Sequence, residues 1–461
     1  MTDALAWCDE YLPDIYDVGM FDEEDTHDAV WDAFESMATD TVLDLLDDPT
    51  ERDILHDQLL EAAQEWFRTH HELMLESLNA DPPTALLSRP QTSQHSADWY
   101  AQRSHRLTAS EFAQVLDGRR GALLRSKVLP PVSASGDAAV LSYSAMKPIA
   151  IAQIDGEMSA TLWGHRFESV TRAIYEQELA GPGTVNDTLG RFQHPTVPWL
   201  SASPDGVVIS GTRAGRLVEI KSPKTRQPGE FVPSDYYAQM QIQMEVCDAE
   251  AVDFVEAQFS QRPVFHYLMG GWVALQEDDE AAIHRATWKG RIQVYGYAEK
   301  PDTWTYRYTQ PVEDMADAAA NYLTPPPTDP ELPLLEESIW WLTGFYPRTV
   351  LRNPTWWMET GWPAASVFWA EVESLRGDPT ALDQMASRIT VIKEGAGTMD
   401  LDDIGSTFAF RSPAAGGAGI SAADYDWGAS DGEEEDLMTA VADVSDNGTI
   451  RLIGGGWGGR L

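Results

Sequence analysis

The stretch Ser203-Pro204-Asp205-Gly206-Val207-Val208-Ile209, continued after Gly211-Thr212-Arg213-Ala214-Gly215 by Arg216-Leu217-Val218-Glu219-Ile220-Lys221, decides how this chain is read. Two β-prone runs flank turn residues, which predicts a hairpin with strands over 207–209 and 216–221. Side chains alternate across a strand, so Glu219 and Lys221 share one face while Val218 and Ile220 point the other way, into a core. The hairpin then brings Asp205 near Glu219. Two carboxylates converging in a cleft make an oxygen-donor site for a hard cation, Mg²⁺ or Mn²⁺. A cation there can activate water and polarise a phosphate. Lys221 can orient or help deprotonate that water, or balance charge on the phosphorus. An ordinary hairpin with an exposed Glu/Lys pair explains the same letters, so the flanking motifs carry the weight.

Upstream, Trp163, Phe167, Val170 and Ile174 recur at helical spacing and predict one buried stripe, with Glu168 at its edge, able to reach an adjoining cleft. Further upstream, Thr108-x-x-Glu111 reads as a capping box opening a helix through Leu116, with Gly118 as its stop. The box accounts for Thr108 and Glu111. Arg106 and Ser110 are left over, and beside a helix N-terminus they would form a phosphate-binding site. Downstream, Tyr237, Met240, Met244 and Cys247 make a core-facing helical stripe. Gln239 and Gln243 share another face, where a Gln pair is ordinarily solvated; beside a metal it could hold water or phosphate.

The chain has 461 residues and a formal charge of −42. The excess acid is not spread evenly: residues 1–81 hold 24 acidic and 2 basic side chains, residues 400–461 hold 12 and 3, and residues 98–247 hold 15 of each. The motifs therefore sit in a neutral segment between acidic flanks. Residues 1–81 read as acidic helices over 29–46 and 52–78, 82–97 as a linker, 98–270 as an α/β core, and 271–394 as a Trp- and Pro-rich extension. Residues 395–461 read as an acidic, Gly-rich tail without order. Two distant cysteines and the lack of a signal or membrane-length apolar run point to a soluble protein of a reducing, intracellular compartment.

Taken in order, Arg-x-Thr-Ala-Ser around Arg106, Thr108 and Ser110, Gly-x-x-x-Glu ending at Glu168, Ser203-Pro204-Asp205-Gly206, Val218-Glu219-Ile220-Lys221-x-Pro223 and Tyr237-x-Gln239-x-Gln241 resemble the lambda-exonuclease/YqaJ viral recombinase family of PD-(D/E)XK nucleases. The likeness spans roughly 98–265. It implies a restriction-endonuclease-like α/β core, a mixed central sheet flanked by helices. It also implies a Mg²⁺-dependent deoxyribonuclease digesting linear duplex DNA 5′→3′ in recombination or repair, partnered by a single-strand annealing protein. By that resemblance Asp205, Glu219 and the backbone carbonyl of Ile220 bind metal, Glu168 supports the site and Lys221 is the catalytic lysine. Gln239 positions water or phosphate, and Arg106, Ser110 and Thr108 hold a 5′-terminal phosphate. The family's phage enzyme is a homotrimeric ring. Arg352–Trp357 and Val367–Trp369 resemble the C-terminal extension of relatives from large DNA viruses, and the plain expectation for those Trp side chains is core packing. A structure-specific or single-strand endonuclease on the same core, and a non-catalytic acidic interaction protein, are the competing readings.

Overall fold

The computed structural model describes residues 2–94, 96–129, 160–266, 271–272, 274–297, 300–319, 321–382, 384, 441–444 and 450–453. The predicted hairpin is present. Strands β5 (Gly206–Val208) and β6 (Leu217–Lys221) pair antiparallel, with Gly206 opposite Val218. Gly211 and Gly215 in the connecting turn take φ of 87° and 91°, conformations that favour glycine. Helix α7 (Ser234–Cys247) then crosses over to β7 (Ala251–His266), which lies parallel to β6 with Glu219 opposite Phe254 and Lys221 opposite Glu256.

The rest of the sheet is antiparallel. Its path runs β10 (Lys300–Tyr308), β9 (Lys289–Tyr297), β11 (Leu334–Leu351), β7, β6, β5 and β2 (Val185–Asn186), and the short β8 (Gly271–Trp272) pairs with the end of β7. The mixed sheet expected of the core is therefore found. Strand β11 pairs with β7 from Leu351–Ala251 to Glu336–His266, so part of the 271–394 extension is integral to the same sheet.

Helices cover both faces. Met240, Ile242 and Met244 of α7 pack with Leu217, Val252 and Phe254 on one side. On the other, α6 (Ala160–Tyr175) buries Trp163, Phe167, Val170 and Ile174 against Ala257, Phe259 and Trp340. The stripe read from helical spacing is thus the contact surface of α6. A small sheet of β1 (Leu107–Thr108), β4 (Leu200–Ala202) and β3 (Phe192–Gln193) lies beside α7.

The acidic N-terminal region folds around its own core of Trp7, Leu12, Phe34, Leu59 and Phe67. Its main helices are α1 (Thr2–Tyr11), α2 (Glu24–Thr41) and α3 (Pro49–Ser77). The second starts five residues before the sequence suggests, because Glu23 caps it through the Thr26 N–H, 2.9 Å. Residues 82–97 are not a loose tether. Leu86 is buried in the main core, Arg89 donates to the Val246 carbonyl at 2.8 Å, and Thr92 pairs with Arg191.

In the acidic tail, Val441–Val444 pairs antiparallel with Ile450–Ile453; the remainder from 395 onward lies outside the described residues. No described helix is long and apolar enough to cross a membrane.

Candidate functional site

Asp205 stands one residue before β5, and its Oδ2 accepts the Ile220 N–H at 2.8 Å. That bond ties the start of β5 to the end of β6 and sets Asp205 beside Glu219. The next residue must be small: a Cβ on Gly206 would sit 2.7 Å from Val185 Cγ1 of β2.

Glu219 is 2% exposed, yet its carboxylate is fully attended. Gln239 Nε2 donates to Oε1 and Gln243 Nε2 to Oε2, each at 2.7 Å, and Lys221 Nζ lies 3.1 Å from Oε1. Lys221 also lies over the Tyr236 ring at 4.7 Å. The glutamine face of α7 is therefore buried rather than solvated, and it is aimed at the Glu219 carboxylate. Gln239 was expected to position water or phosphate; its direct partner is Glu219. Gln243, read with Gln239 as a pair that could hold water or phosphate, likewise has Glu219 as its direct partner, and its Oε1 is buried with no hydrogen-bond partner.

Glu168 comes from α6, on the opposite face. The hydroxyls of Thr171 and Ser222 lie 2.9 Å apart, joining that helix to the residue after Lys221. Burial works to raise Glu168, but His165, Arg172 and Lys221 outweigh it and hold the carboxyl below its usual range. Asp205 goes the other way. Burial, then the charges of Glu219 and Glu168, push it well above the usual carboxylate range, against the pull of Lys221 and the Ile220 N–H. Three carboxyl groups thus feel one another at the end of β6. Among the described residues no three His, Cys, Asp or Glu side chains close into a ligand cage. An open pair of carboxylates suits Mg²⁺, which keeps several waters and takes only one or two carboxylates besides substrate phosphate.

The second cluster lies around Thr108. The capping contacts form: Glu111 Oε2 accepts from the Thr108 N–H at 3.1 Å and from its hydroxyl at 2.7 Å. The helix expected through Leu116 does not form as one piece. Ala109–Glu111 is a 3₁₀ turn and Ala113–Leu116 a single α-turn, because Phe112 and Val115 bond three residues back. Pieces this short have no appreciable dipole, so any anion affinity here must come from side chains.

Those side chains are abundant. Buried Lys127 contacts Glu111 at 2.7 Å and Arg103 contacts it at 2.8 Å. Burial, then Arg103, push Arg191 down to about 10, with Glu111 resisting and Arg106 adding to the fall. Arg106 itself donates to Gln193 Oε1 at 2.7 Å and approaches the Pro198 carbonyl at 3.5 Å. Ser110 Oγ lies 3.3 Å from Thr108 Oγ1. Lys127 and Arg103 therefore pair with one buried glutamate, Arg191 feels its charge, and Arg106 stands close enough to act on Arg191. Arg103, Lys127 and Arg191 were not marked in the sequence, and Arg191 lies too far along the chain for any local pattern to reveal it. A separate cavity of about 170 Å³, lined by Tyr175, Leu179, Arg213, Asp253, Pro347, Arg348 and Thr349, shares none of these residues.

Comparison with known proteins bears on this geometry. No curated protein matches the chain. Among solved structures, it is similar to an alkaline exonuclease from Laribacter hongkongensis, with 19% identity, 64% of this chain and 100% of that one covered, and a TM-score of 0.30. It is also similar to a phage related exonuclease from Haemophilus somnus 129PT, with 9% identity, 62% and 96% covered, and a TM-score of 0.25. A family model described as YqaJ-like viral recombinase domain matches residues 98–250. Both clusters fall inside that span, and the family whose model matches residues 98–250 is the one the motifs resemble.

Proposed function

We propose that the chain is a divalent-metal-dependent DNA exonuclease that hydrolyses one strand of linear duplex from its 5′ end. The observation that carries this reading is the joint between Asp205 and Glu219. The Ile220 N–H fixes Asp205 at 2.8 Å, while Gln239, Gln243 and Lys221 fix Glu219. Asp205 and Glu219, with the Ile220 carbonyl and with Glu168 in support, would hold Mg²⁺ or Mn²⁺. The chemistry supplied by a bound cation there is polarisation of the scissile phosphate and activation of water. Lys221 orients the attacking water and balances charge on the phosphate. Gln239 and Gln243 keep Glu219 from turning away from the site.

Arg106 and Ser110 receive the 5′-terminal phosphate, with Arg103 and Arg191 adding positive charge behind them. Thr108, whose N–H and hydroxyl are both spent on Glu111, positions this loop. A terminal phosphomonoester carries more charge than an internal diester, so a cationic pocket favours ends. A single-strand annealing protein is the partner class this activity calls for.

The test uses linear and covalently closed circular duplex, each with Mg²⁺ or with chelator. Metal-dependent loss of the linear form alone is expected; nicking of the circle supports the endonuclease reading instead. Paired linear substrates with 5′-phosphate or 5′-hydroxyl ends probe the pocket. Arg106→Ala should erase most of an about ten- to hundredfold preference, the size of a charge-assisted contact. Equal rates on both ends in the wild type sink the pocket.

A further inference from the structure

Helix α9 (Trp362–Arg376), beyond the matched domain, is fastened to the loop that holds Arg106. Arg376 Nη2 donates to the Ser104 carbonyl at 2.5 Å and to the Lys127 carbonyl at 2.6 Å, and Arg120 pairs with Glu371 at 2.6 Å. Trp199 lies between the two regions. Its carbonyl accepts the Leu107 N–H at 2.7 Å, and the carbonyl of Pro198 before it faces Arg106. Its ring is near-parallel to Trp369, with centroids 5.3 Å apart and an 11° tilt, and to Trp362, at 6.2 Å and 13°.

The tryptophans expected in the core meet that expectation in part: Trp369 is buried, and Trp356 and Trp357 are half-buried against the same core. Trp362 is 37% exposed, and Met358, one turn before it, is 63% exposed. A π-helical turn, Trp357–Gly361, immediately precedes α9 and re-aims this corner of the helix. An aromatic ring kept partly in water, backed by a second parallel ring and adjoining a cationic pocket, has the composition of a single-stranded nucleic-acid platform. In such platforms cations track the backbone and an aromatic face takes a base. The acidic character of the chain makes the pairing more telling: the Pro198-Trp199 segment that backs Trp362 meets Arg106, which with Arg103 acts on Arg191, in a protein of formal charge −42.

We propose that Trp362, backed by Trp199, stacks an unpaired nucleobase of the strand whose phosphate lies at Arg106. This rests on the DNA-end reading above and deepens it, assigning the C-terminal extension a direct part in gripping a frayed end. The base contact is sequence-tolerant, because every base has a π-face.

The experiment measures equilibrium binding to the full-length protein in chelator, so that no cleavage intervenes. The probe is a 5′-phosphorylated single-stranded oligonucleotide, either intact or with its first two positions abasic. Wild type should bind the intact probe about five- to hundredfold more tightly than the abasic one, with quenching of tryptophan fluorescence. Trp362→Ala should bind both probes alike, at an unchanged melting temperature, and Trp362→Tyr should restore most of the difference. A wild type that does not distinguish the probes, or a Trp362→Ala protein that still does, overturns the platform. So does an assembly that dissociates on Trp362→Ala while the preference for intact probe persists, since the patch would then be covered by a second copy. Cleavage of linear duplex in Mg²⁺ is scored separately: its absence defeats the exonuclease reading whatever the binding shows, and its presence without base discrimination defeats only the platform.

Discussion

Glu219 is the residue on which the candidate chemistry converges, buried and held by two amides and an ammonium. Removing Lys221 takes away the group that manages the proton and the phosphate charge. Lys221→Ala should therefore slow cleavage by about 10²- to 10⁴-fold, the usual worth of a positioned acid–base group, with the protein still folded at a modestly lower melting temperature, because buried Glu219 keeps its two amide donors. Initial rates beside a thermal melt test this; near-normal turnover removes Lys221 from the mechanism. Gln243 behaves differently. Gln243→Leu deprives a buried carboxylate of a donor, and the loss should appear in stability as about 1.5–3 kcal/mol, measured by urea denaturation. An unchanged midpoint shows that the contact contributes nothing. The two residues also differ in legibility. Lys221 is visible at period two from Glu219, whereas Gln243 is 24 positions away and gains its role only when α7 folds over β6.

At the scale of elements, buried Glu111 ties Arg103 to Lys127 of the helix Arg120–Val128. Burial would raise that carboxyl, but Lys127 and Arg103 overcome it and hold it well below the usual range. The sign follows from linkage: a depressed acid stabilises the fold above the unfolded carboxylate value of about 4.3, and that contribution is lost as pH falls below it. Glu111→Gln should therefore flatten the acid side of the stability curve, read as melting temperature between about pH 3 and 6. A variant with the same acid slope as wild type removes Glu111 from that role. The helix turn before α9 offers a steric counterpart. A Cβ on Gly361 would lie 2.7 Å from Trp357 Cε3 and 2.8 Å from Trp356 Cζ3. Gly361→Ala should consequently displace the Trp cluster, at a cost of about 1–3 kcal/mol from overpacking, seen as a lower melting temperature and altered near-ultraviolet dichroism. Identical spectra and melts contradict this.

Over the whole molecule, the acidic N-terminal body is docked onto the sheet and α7. Val18 packs with Ala251 and Leu351, Asn353 Nδ2 donates to Asp17 Oδ1 at 2.7 Å, and the Val232 N–H reaches the Asp22 carbonyl at 2.8 Å. Burial pushes the Asp22 carboxyl up to about 8, with Arg348 and a backbone bond at Leu351 resisting. A raised acid costs stability as pH climbs from the unfolded value near 4, and the cost is complete above the folded value. Asp22→Asn should raise the melting temperature progressively from pH 5 to pH 8, with no further gain above that. A pH-independent gain contradicts the assignment. Charge acts at the same scale. Residues 400–461 carry a net of −9, so truncation after residue 398 should tighten DNA binding most at low salt, where screening is weakest. A truncation that weakens binding at every salt concentration shows that the tail contributes contacts.

The sequence by itself determined the hairpin of β5 and β6, the shared face of Glu219 and Lys221, the α6 stripe and the resemblance to the family whose model matches residues 98–250. Each is a local pattern in which period and residue type carry the information. Only the tertiary structure decided that β11 from the Trp-rich segment completes the sheet, that the glutamines of α7 are buried on Glu219, and that Arg191 joins Arg103 and Arg106. It also decided that Thr108 opens a 3₁₀ turn rather than a helix. These outcomes depend on which surfaces meet across long stretches of chain. Desolvation and pairing set them there, and local propensity carries no record of the partners.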